Sequence, residues 1–265
     1  TSSVTLDEIN TIIPPITGVI DGNLAAYQTY AANPGNFESP ATSTEVQTMV
    51  TAVNAAEVTS AGVLAQIGTE ANTAAPSVVT VAQINTISPA ITAALAANET
   101  AYQVYIDANA ASFASPATAA EVQAIVTAVN AAESTSASVL AQIGTEANTA
   151  APSVVTVAQI NTISPAITAA LAANETAYQV YIDANAASFA SPATAAEVQT
   201  MVTTVNAAEV TSAGVLVQIG TEANTDEVSA VTAAQINTIS PAITFVLAAN
   251  ETAYQVYIDA NAASF

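Results

Sequence analysis

The side chains able to do chemistry in this chain are carboxylates, hydroxyls, amides and phenols. Its 265 residues include no Lys, Arg, His, Cys or Trp. One stretch carries Glu99, Asp107, Glu121, Glu133 and Glu146, and the set returns further along the chain. Paired carboxylates about 5–10 Å apart hydrolyse glycosides, and clustered ones hold calcium. Here the acids are spread along the chain, no calcium-loop pattern is present, and an active site copied in tandem would be unusual. Glu121 has a local task at a helix start, and the others are expected on a solvated face. No catalytic, cofactor-binding or metal-ligating residue is assigned, and the chain is expected not to be an enzyme.

Aromatic residues recur in sets. Tyr102, Tyr105 and Phe113 reappear as Tyr178, Tyr181 and Phe189, then as Tyr254, Tyr257 and Phe265, with Tyr27, Tyr30 and Phe37 before them. Two readings stand: a repeated platform for glycan or an apolar surface, or large plugs in an alanine-rich core whose phenol oxygens reach a polar partner. Asn98, Asn174 and Asn250 each begin an Asn-Glu-Thr acceptor for N-glycosylation. Thr80, Thr86, Thr92 and Thr100 are spaced six, six and eight, which rotates them around a helix instead of lining an ice-binding face.

The missing residue types exclude much. A net charge of −21 repels nucleic acid and anionic lipid, because nucleic-acid binding rests mainly on Lys and Arg. Without Lys there is no P-loop or Schiff base, and without His and Cys no Ser-His-Asp or Cys-His site, ordinary zinc site or disulfide. Immunity to trypsin-like proteases and drift in a low-complexity repeat explain the lack of cations equally well. Both point to an extracellular, secreted or cell-surface location. The longest uncharged stretch, 71–98, is interrupted by Asn72, Pro76, Gln83, Asn85 and Pro89, so no membrane-spanning segment is expected. The opening TSSVTLDE is not a signal peptide and fits a mature or trimmed form.

The dominant feature of the chain is self-similarity. Residues 71–146 and 147–222 align without a gap and differ at six positions. Residues 5–70 form a diverged earlier copy, and 223–265 begin a fourth. The expected division is 1–79, 80–155, 156–231 and 232–265. Within a unit, Thr80…Gln83 reads as a capping box, and apolar residues at Ile84, Ile87, Ile91, Leu95, Tyr102 and Ile106 mark one helical face. Ser88-Pro89 interrupts it, which predicts either a short helix 81–87 followed by a long one over 89–110, or one kinked helix. After a Ser-Pro link, Thr118…Glu121 caps a second helix with Val122, Val129, Ser136 and Ile143 at heptad spacing and Gly144 as its C-cap.

The expected fold is therefore all-α: tandem antiparallel helical units of about 76 residues, each with two long helices and a short or kinked lead-in. Units placed end to end are favoured over a side-by-side solenoid. Four first-half segments (8–37, 83–113, 159–189, 235–265) stand against three second helices. Ile236, Ile239, Ile243, Leu247, Tyr254 and Ile258 should then lie uncovered, either because a longer array continues or because a neighbouring copy packs there.

The near-identical copies are similar in style to repeat regions of bacterial adhesins and surface-layer proteins. The segments AQINTISPAIT (82–92) and AEVQAIVTAVNAAE (120–133) resemble amphipathic helices of fungal hydrophobic-surface-binding and cell-wall mannoprotein domains. No functional residue carries over from either. The function expected is an extracellular structural array, a stalk, fibre, coat or adhesin spacer that self-associates into filaments. The alternative is a helical module binding lipid or an apolar or glycan surface. No cofactor is expected.

Overall fold

The computed structural model describes residues 2–225 and 227–265. It is all-helical, with no strand among them. In chain order the helices are α1 (Leu6–Asn10), α2 (Leu24–Ala31), α3 (Ser43–Glu70), α4 (Val81–Ile84), α5 (Glu99–Ala108), α6 (Ala119–Glu146), α7 (Val157–Ile160), α8 (Glu175–Ala184), α9 (Ala195–Glu222), α10 (Ala233–Ile236) and α11 (Glu251–Ala260). Three are long, α3, α6 and α9, at 28 residues each. At 1.5 Å per residue each runs about 42 Å.

Capping boxes start these helices. Thr194 Oγ1 accepts from the Glu197 N–H, and the Glu197 carboxylate accepts from the Thr194 N–H at 2.7 Å. Thr42 with Glu45 and Thr118 with Glu121 do the same. The four-residue helices α4, α7 and α10 start in the same way, with Gln83, Gln159 and Gln235 in the acid's place.

Two sequence expectations need correction. The first half of a unit holds no long helix. α4 stops at Ile84, the chain turns through Ser88-Pro89, and Leu95 is still extended; α5 begins only at Glu99, after a 3₁₀ turn at Ala96–Asn98. Helical continuation fails because Ala93 sits at φ 61° and because long-helix side chains claim the neighbouring backbone. Gln123 Oε1 accepts from Thr92 N–H at 2.7 Å, and Asn130 Nδ2 donates to Ala93 C=O at 2.8 Å. Of the two long helices expected in each full stretch of about 76 residues, only the second forms.

Gly144 and its equivalents are not C-caps either. α3, α6 and α9 run two residues past Gly68, Gly144 and Gly220. At Gly68 an added Cβ would lie 2.7 Å from Ala114 O, and at Gly144 2.6 Å from Ala190 O. These glycines let the Ser-Pro link cross against the helix backbone.

Two compact units divide the chain, residues 1–131 and 132–265. In the first, α3 serves two cores. Met49, Val50 and Val53 close on Ile9 and Tyr27, while Val63 and Ile67 close on Ile84, Tyr102 and Ile106. That second core is completed by Val122, Ile125, Val126 and Val129 from the opening turns of α6. In the second unit, later α6 residues Val139 and Ile143 join Ile160, Tyr178 and Ile182, completed by Val198, Met201, Val202 and Val205 of α9. α9 goes on to cover Ile239 and Ile258 with Val215 and Ile219. One core runs from Val63 to Val129. In so alanine-rich a chain these few large side chains, each worth about 1.5–3 kcal/mol when buried, carry most of the hydrophobic stabilisation.

Candidate functional site

The acids of this set also serve as structural ties: Glu99, Glu121, Glu133 and Glu146 are half-buried and Asp107 is exposed, yet each accepts specific hydrogen bonds. Glu99 Oε2 accepts from the Val81 N–H at 2.7 Å, and Asp107 Oδ1 accepts from Ser77 N–H at 2.8 Å. Glu121 also accepts from Ala114 N–H at 3.1 Å. Glu133 receives the Ser164 hydroxyl at 2.6 Å. Glu146 receives the Ser153 hydroxyl at 2.6 Å, Val154 N–H at 3.1 Å and Gln142 Nε2 at 2.8 Å. With no cation in the chain, amides and hydroxyls are the donors left, and bonds to an ionised acceptor are the stronger kind. Glu99 ties the start of α4 to α5, and the other four pin irregular segments to a helix. Among the described residues no three acids converge on a common point.

These bonds set a pH dependence. The Glu121 and Glu197 carboxyls are held below the ordinary range, chiefly by the backbone N–H groups of Thr118 and Thr194. Glu222 is lowered chiefly by the Ser229 hydroxyl. For Glu146 burial is the largest influence and pushes upward, but the bonds from Ser153, Gln142, Val154 and Val155 together outweigh it. A carboxyl more acidic folded than unfolded adds stability that is present above its unfolded pKa of about 4.3 and disappears as pH falls through the folded value. At about 0.15 M salt, where long-range repulsion is screened, the melting temperature of a dilute sample should stay level from about pH 7 to 5 and drop below about pH 4. Thermal melts followed by circular dichroism check this; a midpoint that rises below pH 4 would contradict it.

A second tie joins each long helix to the segment before it. Asn130 Oδ1 accepts from Tyr102 Oη at 2.6 Å and from Asn98 Nδ2 at 2.8 Å, while its Nδ2 holds Ala93 C=O. Tyr102 Oη in turn accepts from Leu95 N–H at 3.0 Å. Asn206, Tyr178, Asn174 and Ala169 repeat the set, as do Asn54, Tyr27, Asn23 and Gly18.

This geometry places the aromatic residues. Tyr102 and Tyr178 are 1% and 0% exposed, and Phe113 and Phe189 are also buried. Tyr105 and Tyr181 are half-buried, and Tyr181 meets Phe189 edge-on at 6.3 Å. The last set differs: Tyr254 is half-buried, Tyr257 and Phe265 are 58% and 52% exposed. They border a groove of about 590 Å³ formed with Leu216, Ile219, Gly220, Ile243 and Phe245. The stripe expected to lie uncovered is partly covered: Ile239 and Ile258 are buried under α9, Ile236 is half-buried, and Ile243 and Leu247 are exposed. Segments 83–113 and 159–189 each have a long helix on two sides, whereas this one has α9 alone.

Asn98 and Asn174, two of the glycosylation candidates, are half-buried and commit an amide hydrogen to Asn130 and Asn206. Asn250 is exposed. Sequence reasoning missed the asparagine–tyrosine tie. Its signal was a constant spacing, 28 residues from Tyr102 to Asn130 and again from Tyr178 to Asn206.

No helix among the described residues is long and apolar enough to cross a membrane. No protein-family model matches the chain, and neither a curated protein nor a solved structure matches it.

Proposed function

We propose that the chain is a non-enzymatic, extracellular structural protein, a stalk, fibre, coat or adhesin spacer, built as a tandem array of helical modules. The observation that carries this reading is the double use of the long helices. α3 and α9 each seal one core with their first turns and the next core with their last turns. A helix used in this way couples neighbouring modules and suits a chain that must transmit load or hold spacing. The acids support the same reading, because they are spent on internal ties instead of converging on a substrate.

Self-association belongs to this proposal. At net −21 the copies repel one another. Acidification toward about pH 4 should remove that repulsion and raise light scattering; scattering flat from pH 7 to 4 counts against assembly. Electron microscopy of the native material is the direct test. Filaments or a lattice support the array, and dispersed particles alone refute it.

The apolar groove beside Phe245 and Tyr257 favours a second reading, a helical binding module. Its occupant separates the two: a lipid or glycan recovered there supports the binding module over the spacer.

A further inference from the structure

The groove near residues 236–265 has a counterpart in the same unit. The segment 160–189 carries the same residues at 28 of its 30 positions, with Ala169 and Ala170 where Phe245 and Val246 stand, and there the site is filled. Residues 190–206, the link Ala-Ser-Pro-Ala-Thr and the first three turns of α9, lie across it. Met201, Val202 and Val205 supply the apolar contacts. Ala193 N–H donates to Leu140 C=O at 3.0 Å, directly beside Gly144. Gln199 Oε1 accepts from Thr168 N–H at 2.8 Å, and Asn206 makes its three bonds to Tyr178, Asn174 and Ala169.

Every one of those receiving groups reappears in the open groove without its partner. Thr244 N–H, Phe245 C=O, Asn250 Nδ2 and the Tyr254 hydroxyl hydrogen have none among the described residues, although Tyr254 Oη keeps its bond from Leu247 N–H at 3.1 Å. Ile243 is 48% exposed where Ile167 is 8% exposed. Gly220 stands where Gly144 stands, but an added Cβ would meet nothing within 4 Å. The groove thus retains apolar walls, four aligned polar groups and a glycine suited to close backbone approach.

We propose that this groove is an acceptor site for one amphipathic helix with a Ser-Pro-Ala-Thr lead-in and the start Glu-Val-Gln-x-x-Val-x-x-Val-Asn, the chemistry of residues 191–206. The valines fill the apolar channel, glutamine and asparagine take the four polar groups, and the lead-in crosses Gly220. The assignment goes beyond the structural-array reading and does not depend on it, because it concerns what this surface recognises and not what the whole chain builds.

The test uses the full chain and a fluorescent peptide of residues 190–207, followed by anisotropy at about 0.15 M salt, where charge repulsion is screened. Saturable one-to-one binding is expected. The peptide carrying Asn206→Ala should bind about tenfold more weakly or worse, since it leaves three groups unpaired. Tyr254→Phe in the chain should weaken binding several-fold. Gly220→Ala should weaken it at least about tenfold while leaving the melting temperature level or higher, because Ala is the better helix former and the new methyl meets no neighbour. Absence of saturable binding overturns the proposal. So does equal affinity for Gly220→Ala, and so does self-association of the chain that the peptide fails to displace, since the groove would then be covered by a second copy in another way.

Discussion

Replacing Asn206 by alanine should lower the stability of residues 132–265 by about 2–4 kcal/mol, a large loss for a half-buried side chain. The size follows from what the substitution leaves behind. Asn206 accepts from Tyr178 Oη at 2.6 Å and Asn174 Nδ2 at 2.8 Å and donates to Ala169 C=O at 2.8 Å. Tyr178 is fully buried, so its hydroxyl cannot turn to water, and an unmade buried bond costs the desolvation of the orphaned group. Tyr178→Phe, which removes one partner and leaves Asn206 the other two, should cost about 1–2 kcal/mol. The double variant should cost less than the sum, since both remove the same bond. Hydrogen exchange of the α8 amides reads this locally, without assuming that the whole chain unfolds in one step. Protection of α8 unchanged by Asn206→Ala would show that the tie is not a stabilising one.

That tie shows where the sequence was legible and where it was not. The capping boxes at Thr42, Thr118 and Thr194 are local, with donor and acceptor three residues apart, and the helix starts follow them. The apolar periodicity of 84–106 identifies residues that are indeed buried, among them Ile84, Ile87, Tyr102 and Ile106. It does not reveal that the backbone leaves the helix after Ile84 and is still extended at Leu95. That departure is imposed by Gln123 and Asn130, about thirty residues away, which bond the backbone at Thr92 and Ala93. Side-chain claims on distant backbone carry no local signal and overrule local propensity. The ties made by the acids were illegible for the same reason. Glu146 and Asp107 find their donors seven and thirty residues away, in segments whose course is visible only in three dimensions. The four-segment, three-helix count did place the open groove, but not its second wall, because α9 reaches forward to Ile239 as well as back to Tyr178.

Gly144→Ala should be the other substitution of large effect, with a sign opposite to that expected of a helix interior. Glycine inside a helix normally costs about 1 kcal/mol relative to alanine, so alanine would ordinarily stabilise α6. Here the added Cβ would lie 2.6 Å from Ala190 O and 2.8 Å from Ala193 N. Both are backbone atoms, so the clash cannot be relieved by a rotamer change; the Ser-Pro link must lift off the helix. Lifting it also breaks the bond from Ala193 N–H to Leu140 C=O and loosens Phe189 and Ala193 in the core beneath. Overpacking against fixed neighbours typically costs about 1–3 kcal/mol, and with the lost bond the expected destabilisation is about 2–3 kcal/mol. Gly62→Ala is the internal control. Gly62 lies inside α3 with nothing within 4 Å of an added Cβ, and the equivalent position already carries a side chain at Ser138. There the ordinary gain of about 1 kcal/mol should appear. Urea unfolding of both variants beside the parent chain measures the difference. If Gly144→Ala stabilised as Gly62→Ala does, the close crossing of the link over α6 would be wrong, and with it the part assigned to Gly220 in the open groove.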